Sequence, residues 1–181
     1  MFDLSSFCGR ATLKMVMHKK LQRGFTIVEL LIVVVVIGVL AAIVIVAYNG
    51  ITSSAQASTI KSDLTNALKK LEIYKIENGA YPVTGGQLAN VGIKASKSSY
   101  DTVGNNFYYC VNTVTDVFAM GSRTPSNTHA FIISGGSPQQ VSVASGDTVC
   151  QAAGLTGWTD PDGYISNGYN NGGSGWQAWT E

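Results

Sequence analysis

Residues 25–48 read FTIVELLIVVVVIGVLAAIVIVAY. One carboxylate, Glu29, stands five residues in; from Leu30 to Tyr48 nineteen residues follow with nothing but aliphatic side chains, Gly38 and the closing Tyr48. An α-helix rises about 1.5 Å per residue, so this run spans roughly 28 Å, close to the ~30 Å hydrocarbon core of a bilayer. It is apolar on every side, which suits lipid or a helix bundle better than one face of a soluble domain. An acid at the entry edge of a membrane-length helix is costly, and Glu29 is therefore a functional candidate.

Working outward, charge is distributed unevenly along the 181 residues. The first 24 hold Arg10, Lys14, Lys19, Lys20 and Arg23 against Asp3, which leaves seven basic and ten acidic residues beyond. The basic flank before the apolar run predicts an N-terminus that stays inside and a C-terminal part outside. A secretory signal places its small-residue cleavage site after the apolar region. Here the small residue, Gly24, comes before it, so cleavage at Gly24 would remove the charged leader and keep the helix. The competing reading is an uncleaved signal anchor.

The segment QRGFTIVELLIVVVVIGVLAAI resembles the N-terminus of the type IV filament family, which comprises type IV pilins and the pseudopilins of secretion and DNA-uptake machines. The matching features are Gly24 as last leader residue, Phe25 as first mature residue, Glu29 as fifth mature residue, the basic residues Lys19, Lys20 and Arg23, and Gly38 inside the run. Asn78-Gly79-x-Tyr81-Pro82 also looks like the family's turn from helix to head. The resemblance implies a prepilin peptidase that cuts between Gly24 and Phe25 and N-methylates Phe25. It also implies storage in the cytoplasmic membrane as a single-pass precursor, N-terminus inside, and an inner-membrane assembly platform. The end product would be a homo-oligomeric filament, with other pilins, in the periplasm or outside the cell. In that picture Glu29 of an incoming subunit pairs with the Phe25 amine of a neighbour, setting axial register between otherwise featureless apolar helices. Alternatively Glu29 snorkels to the headgroups. Many family members carry a proline near the end of the run; this chain has Val46 there.

Beyond the run, Ile60, Leu64, Ala67, Leu68, Leu71 and Tyr74 recur at helical spacing and predict an amphipathic continuation. Asn78-Gly79 supplies a stop and Pro82 prevents resumption. The expectation is α+β: a leader (1–24), a long N-terminal helix (25–78) spanning the membrane in its first half, and a head (79–181). The second half of the helix would pack on a small antiparallel sheet. Strands are expected over Phe107–Val111, Val117–Met120, Ala130–Ser134 and Gln140–Ala144 in a meander, with residues 79–105 as a loop-rich connection.

Cys110 and Cys150 form an even pair in a segment placed outside the membrane, so a disulfide is expected, with two buried free thiols as the alternative. Cys8 lies in the leader. From Cys150 onward the chain is rich in Gly, Asn and aromatics, among them Trp158, Tyr164, Tyr169, Trp176 and Trp179. These complete the core of a small sheet or serve contact with a ligand or subunit; core completion is the preferred reading.

Catalytic chemistry is not encoded. The only histidines are His18 and His129, and GxSxG, P-loop and HExxH motifs are absent. The chain reads as non-enzymatic, without cofactor. Asp160-Pro161-Asp162-Gly163 with Asn167 hints at calcium but reads more simply as a turn, so no metal is assigned. Lys94 and Lys97 beside Tyr100 are a thin patch, whereas DNA binding calls for a clustered basic surface. Three functions follow: a subunit of a type IV pilus or related filament; a minor pseudopilin of type II secretion or DNA uptake; or a membrane-anchored surface binding module.

Overall fold

A computed structural model describes residues 24–125 and 127–180. The leader features Cys8, His18, Lys19, Lys20 and Arg23 lie outside the described residues. Helix α1 runs Ile27–Asn78 without interruption at Gly38 or Gly50. It ends where Gly79 takes φ +86°, a left-handed conformation that costs glycine little, and its N–H caps the Lys75 carbonyl at 2.8 Å.

The chain divides into two compact units, residues 1–42 and 43–181. In the first, every described residue from 24 to 42 is exposed. Of the helices among the described residues, α1 is the one long and apolar enough to cross a membrane, by length and composition.

The second unit contains the rest of α1, two short helices and one antiparallel sheet. The remaining elements are α2 (Gly85–Val91), β1 (Asn106–Asn112), β2 (Val117–Arg123), β3 (Ala130–Ile133), β4 (Gln139–Val141), α3 (Gly146–Ala152), β5 (Gly163–Asn170) and β6 (Gly175–Trp176). Sheet order is β4-β3-β2-β1-β5-β6. The expected meander β1 to β4 is present, and β5 returns along the free side of β1, pairing Cys110 with Ile165 and Asn112 with Gly163. The C-terminal segment, expected as a Gly- and aromatic-rich tail, thus supplies two strands. Hydrogen-bonding needs explain the difference: β1 is buried at every residue, and its outer N–H and C=O groups need partners that water cannot provide.

Alternation assigns the two faces. Tyr109, Val111, Phe118, Met120, Phe131 and Ile133 pack with Ala57, Ile60, Leu64, Ala67 and Leu71 of α1. Tyr108, Cys110 and Ala119 face the other way, against Val149, Cys150, Ala153 and Leu155 of α3 and its following turn. Both faces are covered, so an amphipathic pattern is missing from β1. The aromatics of the C-terminal segment divide between the two cores: Trp176 and Trp179 join the α1 side, Trp158 the α3 side.

Residues 79–105, expected as loop, hold α2 and a 3-10 turn at Lys97–Ser99. Thr84 caps α2 by accepting from the Gln87 amide, and Ser145 with Thr148 forms a capping box on α3. These caps offset the low helix propensity of Gly85, Gly86 and Gly146.

Candidate assembly site at the start of the long helix

Gly24, Phe25 and Thr26 precede the first helical residue. Among the described residues, a side chain on Gly24 would meet nothing within 4 Å, and Phe25 is 80% exposed. The Gly24–Phe25 bond thus lies outside regular structure.

Thr26 and Glu29 close a reciprocal cap. Glu29 Oε2 accepts from the Thr26 amide at 2.9 Å and from Thr26 Oγ1 at 2.8 Å, and the Glu29 amide donates back to Thr26 Oγ1 at 3.2 Å. This is the T-x-x-E capping box, satisfying donors that the helix end leaves orphaned. The pattern Thr26-Ile27-Val28-Glu29 is legible in the sequence, but the membrane reading of Glu29 masked its plainer local role. Both bonds to the carboxylate use Oε2, and Oε1 takes no part in the cap. The cap fixes the carboxylate beside the chain position where cleavage would expose an amine.

Residues 19–45 match the family profile described as the prokaryotic N-terminal methylation motif. The N-terminal segment is thus similar to those of type II secretion core proteins and of a type IV pilus component. Over 68 residues the chain is 37% identical to the type II secretion system core protein G of Pseudomonas aeruginosa, covering 38% of this chain and 48% of that protein. It is 40% identical over 63 residues to the type II secretion system core protein G of Escherichia coli K12, covering 35% and 43%. With the type IV wide pilus major component PilA4 of Thermus thermophilus it shares 32% over 77 residues, covering 42% and 59%. The chain thus spans about half the length of the curated relatives it matches. No solved structure gives a significant match.

The turn Asn78-Gly79-x-Tyr81-Pro82 follows the end of α1. Its side chains form a clasp between the end of α1 and the β1–β2 turn. Tyr81 Oη donates to Glu72 Oε1 at 2.8 Å, and the Tyr81 amide donates to Asp116 Oδ1 at 3.0 Å. Lys75 Nζ lies 2.9 Å from Asp116 Oδ2 and 4.3 Å above the Tyr81 ring. Tyr109 Oη reaches the Pro82 carbonyl at 3.0 Å. Burial works against the Asp116 charge, but the Tyr81 amide and the Lys75 ammonium outweigh it and hold its carboxyl below the ordinary range. Burial, then the Glu72 carboxylate, pushes the Tyr81 hydroxyl well above the ordinary phenol range. The sequence does not join Asp116 and Glu72 to Tyr81, because no local pattern links residues 35 and 9 positions away.

Cys110 on β1 and Cys150 on α3 are joined by a disulfide, with Cα atoms 5.0 Å apart. It ties α3 to the central strand. The other candidates are absorbed by structure. Tyr100 is 2% exposed and donates to Asp63 at 2.8 Å, so it cannot stack on a base beside Lys94 and Lys97. Asp160 Oδ2 accepts from the Thr156 amide and hydroxyl, and Oδ1 from the Asp162 amide. Asn167 lies on β5 opposite Tyr108. His129 precedes β3 and meets Ser53 Oγ at 3.3 Å. Among the described residues no three His, Cys, Asp or Glu side chains gather as a metal site.

Proposed function

We propose that this chain is a structural subunit of a type IV pilus or a related filament. It is made as a membrane-stored precursor, cut between Gly24 and Phe25 and methylated on the Phe25 amine. The observation that carries the reading is the methylation motif on a helix whose apolar surface is exposed on all sides. That surface has two suitable environments, the bilayer before assembly and a bundle of like helices after it.

The capping geometry supports an assembly role for Glu29. Cleavage creates an α-ammonium group at Phe25. Oε1 of a neighbouring subunit's Glu29 is the oxygen that the cap leaves to receive it, and apart in a low-dielectric bundle the two charges would be costly. A second reading, a pseudopilin in a secretion machine, is favoured by the similarity to type II secretion core protein G. The prepilin peptidase and an inner-membrane assembly platform are the partners that either reading requires.

The test is intact mass and N-terminal sequencing of the membrane-associated protein. A chain beginning at methylated Phe25 is expected; one beginning at Met1 beside an active prepilin peptidase would overturn the proposal and favour a membrane-anchored binding module. Sheared cell surfaces then separate the two filament readings: an abundant extracellular fibre marks a pilus, and loss of exported protein on deletion marks a secretion pseudopilus.

A further inference from the structure

The unit formed by residues 43–181 carries different, complementary surfaces at its two ends. β2 runs from Val117 to Arg123. The β1–β2 turn and the loop that follows β2 therefore lie at opposite ends of one strand, roughly 20 Å apart. α1 agrees: Ser53 Oγ lies 2.8 Å from Thr128 Oγ1 at one end, and Lys75 pairs with Asp116 at the other.

The turn end is apolar and acidic. Val114 at its tip is 73% exposed, and Val117 and Ile76 are also exposed. Asp162, whose carbonyl accepts from Thr113, is exposed there, as is Glu77. The opposite end is concave. A cavity of about 680 Å³ opens between α1 and the loop after β2, lined by Tyr48, Ser53, Gln56, Pro125, Thr128 and His129 among others. The charge beside it is basic: Lys61 Nζ stands 4.9 Å over the Phe131 ring, and Phe131 stacks on His129. Arg123 and Asp101, also near this end, neutralise each other at 2.8 Å.

We propose that the β1–β2 turn of one copy, with Val114 leading, seats in this cavity of the next copy. Apolar tip meets concave wall, and the Asp162 side approaches the Lys61 and His129 side. Because the two surfaces differ, the contact is heterologous and does not close on itself; repeated, it produces an open helical array. The inference rests on the filament reading and deepens it, giving the heads their own register beside that of the N-terminal helices.

The test is site-directed cross-linking in filaments sheared from cells expressing Val114→Cys with Gln56→Cys. The native cysteines of the head are already joined to each other. A ladder of multimers on non-reducing gels is expected from the double variant and none from either single variant. Filaments of normal yield that give no ladder would overturn the contact and leave the filament reading standing. An equally strong ladder from Val114→Cys with Val143→Cys would also overturn it, since Val143 lies outside the cavity. Absence of filaments from the unmodified chain would remove the filament reading and this contact with it. Independently, Val114→Glu should lower filament yield at least tenfold with the melting temperature of the head unchanged; unchanged yield would count against the contact.

Discussion

Glu29 holds two roles that one substitution separates. As a helix cap it needs a hydrogen-bond acceptor, and as a partner for a neighbour's amine it needs a charge. Glu29→Gln keeps an acceptor for the Thr26 amide and removes the charge, whereas Glu29→Ala removes both. If the charge drives assembly, both variants should be inserted and processed and both should lose filaments. If Glu29→Gln yields normal filaments on sheared cells, the cap is the function. Asp116 makes a second prediction at this scale. Its carboxyl is held below the ordinary range when folded. Its contribution is then complete above about pH 4 and is lost as the pH falls through the folded value. The Tyr81, Tyr100 and Tyr109 hydroxyls, each raised first by burial, act in the opposite sense. Their contribution is complete below about pH 10 and is lost as the pH rises through their folded values. Thermal melts against pH should fall at both ends, and Asp116→Ala should flatten the acid limb. The ion pair is about one-third exposed on each side, so the loss near neutral pH should be modest, about 1 kcal/mol.

At the scale of elements, α3 shows how a short helix is held in place. It has seven residues, too few for stability in isolation, and is kept by its capping box, by Val149 and by the disulfide. Closing a 40-residue separation contributes about 4 kcal/mol in the chain-entropy model. Cys110→Ala should therefore lower the melting temperature of the oxidised protein to that of the reduced wild type, and reductant should leave the variant unmoved. If the variant instead melts equally far below the wild type with and without reductant, packing alone accounts for the loss. Gly121 on β2 tests the same layer by contact. A Cβ there would stand 2.3 Å from Val149 Cγ2 and 3.1 Å from Ile132 Cγ1. Gly121→Ala should cost about 1–3 kcal/mol by overpacking, read as a lower denaturant midpoint. The two short helices were missed in the sequence although Thr84-x-x-Gln87 and Ser145-x-x-Thr148 stand before them. Gly85-Gly86 made residues 79–105 read as loop, and residues 145–152 fell where the last expected strand gives way to the C-terminal segment; in folded context the caps won.

For the whole molecule, the exposed apolar surface of residues 27–46 predicts that the chain before assembly stays with membranes through an alkaline carbonate wash and leaves them in detergent. Release by carbonate alone would refute membrane storage. The long helix, its stop at Asn78-Gly79, the amphipathic stripe and the four-strand meander were legible in the chain because each is written in a local period: an unbroken apolar run, a 3.6-residue stripe, short β-branched segments between turn residues. So was the pilin-like N-terminus. The return of residues 163–170 beside β1 was not, because Gly163-Tyr-Ile-Ser-Asn-Gly-Tyr-Asn carries little apolar alternation and becomes a strand only through the open edge it completes. Nor was the clasp of Glu72, Lys75, Tyr81 and Asp116, whose members meet only when the end of α1 arrives at the β1–β2 turn. Local periodicity determines which segments can be helix or strand and which span reaches across a bilayer. Which edge is paired, which face is covered twice and which charges meet are set by non-local burial, where every backbone group and charge removed from water must find its partner.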